Sequence, residues 1–338
     1  MKKKTWTCVV CCVLVVFLLL LLTPPSPQAA EKVTLRASGG PTGTGKDLRI
    51  QMVAEAIRRG NPTWTVDVMN GPTTIAEITM IGRGELHFTA LDAVSIPDVA
   101  KGSYGGKKLP QPVELRWLLP STAMTCVLYI LDSVPINSYA DIKEKKYSLK
   151  FSMGRKGTDP YLINMHVLEA YGFRPEDIVE WGGKQQNTAS RRSADLVADG
   201  LMEAMMHAGT YPNPPFVEIA RKRKLKAAFV SEPDIQEKLA KQGFIQVPIA
   251  AGSIDFVKEN TTTVAMPSLV LCRADMRDEI AYNMTRAVWE QREGFLHPIH
   301  PIFRRYLQPE VIANWNAKFK DILHSGAVKY WKEQGLLK

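Results

Sequence analysis

Two glycine-containing loops carry the residues best suited to bind an anion. The first loop, 39–45, reads GGPTGTG and is followed by Lys46, and the second, 153–160, reads MGRKGTDP. Glycines let backbone N–H groups approach a ligand, and a helix N-terminus attracts negative charge. An arginine in the second loop could pair with a carboxylate or phosphate through two hydrogen bonds. The candidate ligand-binding residues of the two loops are Gly40, Thr42, Gly43, Thr44, Arg155, Gly157 and Thr158.

The elements around the two loops repeat one pattern. Each loop follows a strand-like segment (33–38 and 147–152) and precedes an amphipathic stretch, a second strand-like segment (63–70 and 177–183), and a helical run that ends at a glycine and a strand. Such βαβ units open their loops at the carboxyl ends of parallel strands. The repeat predicts two lobes whose helix N-termini point into one cleft. The alternative is that both loops are ordinary turns of an α/β protein.

Four further residues stand at predicted strand ends that would face the same cleft, namely Asn70, Asp92, His207 and Gly209. Asp92 could accept a hydrogen bond from a ligand hydroxyl or ammonium group, and an ammonium would make the ligand resemble an amino acid. In the second loop Thr158 or Asp159 can also cap the following helix, with Pro160 in its first turn.

The segment GPTGTGKD (40–47) has most of a nucleotide-binding phosphate loop, but Asp47 replaces the hydroxyl residue that would hold Mg²⁺. No G-x-S-x-G or H-E-x-x-H motif is present, and Pro298 between His297 and His300 spoils a helical pair of metal ligands. The sequence therefore predicts no catalytic residues, no metal and no cofactor. A phosphate-loop nucleotide-binding protein stays an alternative.

The amino terminus has the pattern of a secretory signal peptide. Three lysines at 2–4 precede an uncharged apolar run at 8–22 and then small residues and prolines. We expect residues 1–30 to be removed after Ala30 and the protein to be secreted, with a retained anchor as the alternative. Cys126 and Cys272 then remain, each in an apolar strand-like run. They are interpreted as two buried thiols, and a disulfide is the alternative.

The chain of 338 residues is 45% hydrophobic and 23% charged, with a net charge of +9. This length suits two domains, and the excess of positive charge suits anionic ligands. No basic run alternates with aromatic residues, so nucleic acid is not an expected partner. The predicted fold is α/β, with two lobes, each a mostly parallel sheet flanked by helices, and a two-strand hinge. We expect residues 31–130 plus 261–338 to form lobe 1 and residues 131–260 to form lobe 2.

Two local expectations concern burial. Apolar spacing predicts that Leu48, Met52 and Ala56, with Val53 and Ile57, form the buried face of the first helix. The segment 98–112, rich in Gly, Lys and Pro, is predicted to be a surface excursion of lobe 1.

Three segments resemble the TAXI-type solute-binding proteins of TRAP transporters, a resemblance that covers roughly residues 31–338. The first is HSGAVKYWKEQG (324–335), and the second combines NGPTT (70–74) with GRGELHFTALD (82–92). The third is SADLVADGLMEAMMHAGTYPNPPFVEIA (193–220). Their order and spacing, more than any one of them, carry the resemblance. The sequence differs from the family pattern at Gly45-Lys46, Ile75 and Asp92, so no particular solute is assigned.

The resemblance implies a periplasmic two-lobed binding protein with no enzymatic activity. Such a protein captures a small organic anion, a carboxylate or an amino acid, and delivers it to the membrane permease subunits of a TRAP transporter. A secreted ligand-sensing module that serves a receptor is the alternative.

Overall fold

The computed structural model describes residues 32–40, 42, 44–71 and 73–338. The predicted signal peptide (1–30) and one predicted ligand-binding residue, Gly43, lie outside the described residues. No helix of the described part is long and apolar enough to cross a membrane.

Ten strands form one hydrogen-bonded sheet, in the order β2-β1-β3-β12-β6-β9-β7-β8, with β10 paired to β6 and β11 paired to β12. A short hairpin of β4 and β5 forms a second sheet. The strands are β1 Thr34–Ser38, β2 Thr65–Met69, β3 Phe88–Asp92, β4 Ser103–Tyr104, β5 Lys107–Lys108, β6 Leu115–Leu131, β7 Lys150–Ser152, β8 Lys184–Gln186, β9 Ala204–Gly209, β10 Leu225–Phe229, β11 Ile245–Ile249 and β12 Thr261–Arg273.

The sheet has a group of parallel strands at each of its two ends, separated by two long antiparallel strands. On one side β1 pairs in parallel with β2 and β3, and on the other β7 pairs in parallel with β8 and β9. Between them β6 and β12 run antiparallel, with register shifts after Ser268 and Val270. The two parallel ends and the two connecting strands were predicted from the sequence. We call the side with β1 the first half and the side with β7 the second half.

The partners of the long strands change along their length. Residues 261–265 of β12 pair with β11 in the second half, whereas residues 268–272 pair with β3 in the first half. Likewise β6 pairs with β9 only from Thr125 onward. The predicted domain boundaries, 130/131 and 260/261, fall at the outer ends of these strands, and the division into lobes stays a prediction.

Helices cover both parallel ends of the sheet and the carboxyl-terminal part of the chain. They are α1 Gly45–Gly60, α2 Thr74–Gly82, α3 Ile96–Ala100, α4 Tyr139–Glu144, α5 Asp159–Ala170, α6 Pro175–Glu180, α7 Ser190–Ala198, α8 Pro214–Ala220, α9 Pro233–Ala240, α10 Asp278–Glu290, α11 His297–Ile299, α12 Pro301–Tyr306, α13 Pro309–Lys318 and α14 Ser325–Glu333.

Helix α1 begins where the first glycine loop ends. Thr44 is its N-cap, and its hydroxyl accepts a 3.2 Å hydrogen bond from the backbone N–H of Asp47. Its buried face includes Ile50, Val53 and Ile57. The prediction was wrong about Leu48, which is 44% exposed. Leu48 and Met52 lie one position off the stripe that faces the sheet.

The predicted strand at 177–183 is also wrong, because Pro175–Glu180 is a helix and the strand is Lys184–Gln186. Pro175 lies in the first turn, and the Asp177 carboxylate accepts a 2.6 Å hydrogen bond from the Arg174 backbone N–H. Both features stabilise a helix start, and they outweigh the alternation of apolar residues.

The two remaining cysteines, Cys126 and Cys272, are free and buried, as the sequence interpretation had them. Burial raises the pKa of both thiols above the usual range.

Candidate functional site

The two halves of the molecule meet at a buried carboxylate. Asp159, the first residue of α5 in the second half, is 5% exposed. Its Oδ1 accepts a 2.8 Å hydrogen bond from Thr74 Oγ1 and a 2.7 Å hydrogen bond from Tyr104 OH. Both donors belong to the first half, where Thr74 begins α2 and Tyr104 ends β4. One carboxylate therefore links the two halves.

Tyr104 corrects the expectation for the segment 98–112. Most of the segment is exposed, as a surface excursion should be, but the Tyr104 side chain is fully buried. The β4–β5 hairpin reaches the second half, since a Cβ placed on Gly105 would lie 2.7 Å from Leu162 Cδ2 of α5. The hairpin is a contact between the halves.

Both glycine loops lie at this junction. A Cβ placed on Gly45 would lie 3.8 Å from Thr210 Oγ1 of the second half. A Cβ placed on Gly157 would lie 3.8 Å from Ile75 Cδ1 of the first half. Each loop thus approaches the opposite half, and that the two share one ligand site stays a prediction.

A buried arginine occupies the floor of this region. Arg49 of α1 is 7% exposed, and its Nε donates a 3.1 Å hydrogen bond to Ser121 Oγ. A Cβ on Gly45 would lie 3.2 Å from its Nη1. Within the described part of the chain, its two terminal nitrogens make no hydrogen bond. Burial lowers the pKa of Arg49 to about 10, and the negative charge of Asp159 opposes that shift.

Lys46, the lysine of the phosphate-loop-like segment, is paired within its own half. Its Nζ binds Oε2 of Glu77, a fully buried residue of α2. The other carboxylate oxygen of Glu77 accepts a 2.5 Å hydrogen bond from Ser38 Oγ. Because Glu77 neutralises it, Lys46 is a poor candidate for holding a ligand phosphate.

Asp92 is fully buried at the end of β3. Its Oδ1 accepts a 2.9 Å hydrogen bond from the Ser95 backbone N–H, and its Oδ2 a 3.0 Å bond from Ser95 Oγ. Desolvation, followed by repulsion from Asp159, raises the pKa of Asp92 to about 7. The sequence placed Asp92 at the cleft as a ligand acceptor, whereas in this structure its bonds cap the short 3₁₀ turn Ala93–Ser95.

His207 is directed into the protein. It lies within β9, is 5% exposed, and its Nε2 contacts the carbonyl oxygen of Thr210 at 3.1 Å. The Asn213 amide lies beside the same ring. Burial lowers the pKa of His207 to about 4. In this structure His207 supports the turn that carries Thr210, and its contact with a ligand stays a prediction.

The other predicted site residues lie in both halves of the molecule. In the first half Gly40 has a positive φ of 79° and its N–H donates to Ser38 Oγ, while Thr42 and Asn70 are exposed. In the second half Arg155 is exposed, Thr158 donates a 2.7 Å hydrogen bond to the carbonyl oxygen of Arg155, and Gly157 and Gly209 are half-buried.

Sequence reasoning missed four residues of this junction, namely Arg49, Thr74, Tyr104 and Ser121, and considered Asp159 only as a helix cap. Arg49 carried a signal, because it stands four residues before Val53 and seven before Ala56, on the buried face of α1. A charged residue within an apolar stripe is either paired or functional. Tyr104, between glycines and lysines, carried no such signal.

Two solved structures are similar to this chain in fold. The periplasmic binding protein BugD superposes with a TM-score of 0.50 and 14% identity, covering 91% of this chain and 99% of its own. PhnD1 from Prochlorococcus marinus, solved in complex with methylphosphonate, gives a TM-score of 0.50 and 11% identity, covering 80% of this chain and 90% of its own. These likenesses confirm the predicted fold class, an α/β fold that matches the structures of periplasmic binding proteins.

The sequence also matches a described family over most of its length. The match spans residues 46–335, from the start of α1 to the end of the carboxyl-terminal helix. It therefore includes Arg49, Asp92 and Asp159. The chain belongs to the NMT1-like family.

Proposed function

We propose that this protein is a periplasmic solute-binding protein that closes its two lobes on a small organic anion. The observation that carries the proposal is Arg49, a buried guanidinium whose terminal nitrogens have no partner among the described residues. Burying a cation is costly unless another group compensates it. An anionic ligand group would supply two charge-assisted hydrogen bonds at this position.

The surroundings of Arg49 favour an oxyanion. Helix α1, of 16 residues, starts beside it at Gly45 and brings the positive end of its dipole to the same place. The hydroxyl of Thr210 lies across the cleft from Gly45. We infer that Arg49 is the principal anion-binding residue and that Arg155, which is exposed, contributes at the rim.

The proposed activity is binding without catalysis. Ligand would favour the closed state because it fits that state better, which shifts the population from open to closed. The delivery of the anion to the permease of a TRAP-type transporter, with export by the signal peptide, rests on the resemblance of the three sequence segments to TAXI-type proteins.

A thermal shift assay with the purified protein tests the binding proposal. The panel contains succinate, malate, glutamate and methylphosphonate, with ATP as the probe for nucleotide binding. A ligand at one hundred times its Kd adds about 2.7 kcal/mol to the stability. The proposal fails if no anion of the panel raises the melting temperature, and a response to ATP alone would support a nucleotide-binding protein.

A further inference from the structure

The described part of the chain buries more carboxyl groups than cationic side chains. Arg49 is the only buried lysine or arginine among the described residues, whereas four carboxyl groups are buried, those of Asp47, Glu77, Asp92 and Asp159. A buried charge is costly unless a partner compensates it. The positions of two of these carboxylates, Glu77 and Asp159, bear on how much negative charge a ligand can bring to Arg49.

Glu77 takes the place of an anion at the first glycine loop. A Cβ placed on Gly40 would lie 3.9 Å from Glu77 Oε1 and 3.7 Å from Lys46 Cδ. The Oε2 atom of Glu77 lies 2.5 Å from Lys46 Nζ, and its Oε1 accepts a 2.5 Å hydrogen bond from Ser38 Oγ. The lysine that follows the loop is therefore already paired with a carboxylate of the protein.

Asp159 takes the same place at the N-termini of α2 and α5. It is the first residue of α5, and it accepts hydrogen bonds of 2.8 Å from Thr74, the first residue of α2, and of 2.7 Å from Tyr104. Both donors are neutral hydroxyls, so they satisfy the carboxylate without cancelling its charge. Burial lowers the pKa of Arg49, and the negative charge of Asp159 opposes that shift. The buried guanidinium thus already has an anionic neighbour.

The second glycine loop offers little compensation for a further negative charge. Its two cations, Arg155 and Lys156, are exposed, and water screens an ion pair at such positions. A ligand with two anionic groups would bring its second group towards carboxylates that no buried cation remains to balance.

We propose that the protein selects ligands with a single anionic group, which binds Arg49, and that the carboxylates of Glu77 and Asp159 exclude a second one. The inference rests on the proposed function and narrows its ligand class to monocarboxylates, sulfonates and amino acids with an uncharged side chain. Like charges held close together away from water repel strongly, so a second anionic group lowers the affinity even where it fits in size.

Calorimetric titration with pairs of ligands that differ by one charge tests the inference. The pairs are succinate and succinamate, glutamate and glutamine, and methylphosphonate and methanesulfonate, all at about pH 8, where methylphosphonate is mostly a dianion. The members of each pair have nearly the same shape. We expect the singly charged member to bind more tightly, by about tenfold or more in Kd. The inference is overturned if the doubly charged members bind as tightly or more tightly.

Glu77→Gln should reverse this preference. The variant keeps the shape of the side chain but leaves Lys46 free to pair with a second anionic group, so succinate should gain at least about tenfold in affinity relative to succinamate. Glu55→Gln is the control, because Glu55 is a partly exposed carboxylate of α1 that binds Arg58 and Arg59. It should keep the wild-type ratio of the two dissociation constants.

A wild-type ratio in folded Glu77→Gln would also overturn the inference, since Glu77 would then not exclude the second group. Should Glu77→Gln not fold, the ligand pairs decide the matter with the wild type alone. Failure of both members of every pair to bind would refute the proposed function and this inference with it. Tighter binding of the doubly charged members would refute the inference and leave the proposed function standing.

Discussion

Thr74 Oγ1 donates a 2.8 Å hydrogen bond to Asp159 Oδ1, and each of the two residues is the first residue of its helix. The bond joins α2 of the first half to α5 of the second. Helix N-termini attract negative charge, and here two of them share one carboxylate of the protein. We propose that the ligand binds at the positive end of α1, beside Arg49.

Replacing Arg49 should abolish most anion binding. Arg49→Met removes the cation but keeps an unbranched apolar stem in the buried position. Losing a buried charge partner costs about 2–5 kcal/mol of binding, at least about 30-fold in Kd. Calorimetric titration with whichever anion responds in the thermal shift assay measures the change, after circular dichroism has shown that the variant is folded.

The matched control is Arg155→Ala, which removes an exposed cation of the second glycine loop. We expect a loss below about tenfold, because exposed ion pairs contribute about 0–1 kcal/mol. A larger loss for Arg155→Ala than for Arg49→Met would assign the anion to the second loop instead.

Tyr104→Phe should weaken the junction between the halves. The variant keeps the buried ring and removes one of the two donors to Asp159. A hydrogen bond to a buried charged group is worth about 1.5–3 kcal/mol, and we expect the free energy of unfolding in urea to fall by this amount.

Tyr282→Phe serves as the comparison for Tyr104→Phe. The Tyr282 hydroxyl also donates to a carboxylate, Glu333, at 2.6 Å, but at an exposed position. Its loss should cost less than about 1 kcal/mol. Equal losses for the two variants would show that the Tyr104 bond contributes nothing beyond a surface contact.

A glycine of the carboxyl-terminal motif should resist substitution. A Cβ on Gly326 of α14 would lie 2.2 Å from the carbonyl oxygen of Asp278 and 2.8 Å from the backbone nitrogen of Tyr282, both in α10. Although Ala is the better helix former, Gly326→Ala must push the two helices apart. We expect it to destabilise the protein by about 1–3 kcal/mol.

Gly294→Ala is the control, since no atom lies within 4 Å of a Cβ there. It should leave the urea midpoint unchanged or raise it slightly. If Gly326→Ala is equally neutral, α14 does not pack against α10 as closely as this structure shows.

His207 should make the stability depend on pH. Burial lowers its pKa to about 4 in the folded protein, against about 6.5 in the unfolded chain. The folded state therefore holds fewer protons, and stability falls as the pH falls from about 6.5 towards 4. The full effect is about 3 kcal/mol.

Urea unfolding at about pH 7 and about pH 4.5 checks this prediction. His207→Gln should lose about 2–3 kcal/mol less than the wild type between the two pH values, and His166→Gln, at a partly exposed position, should behave as the wild type. An unchanged pH dependence in His207→Gln would mean that His207 is protonated in the folded protein.

The sequence alone predicted much of the fold, for local reasons. The repeat of strand, glycine loop and helix gave both parallel ends of the sheet, because loop chemistry and apolar spacing act over a few residues. At 177–183 the sequence pattern predicted a strand, whereas Pro175 and the cap formed by Asp177 favoured a helix. The proline and the cap determined the structure, which is a helix.

The sequence did not determine which polar residues come together. It indicated Asp92 and His207 at strand ends, but whether a side chain at a strand end faces solvent depends on what packs over it. Tertiary structure brought Tyr104 and Thr74 to Asp159, from positions far apart in the chain. It also buried Arg49 behind the first loop. Long-range packing, which no local pattern encodes, decided which charged residues come together in the candidate site.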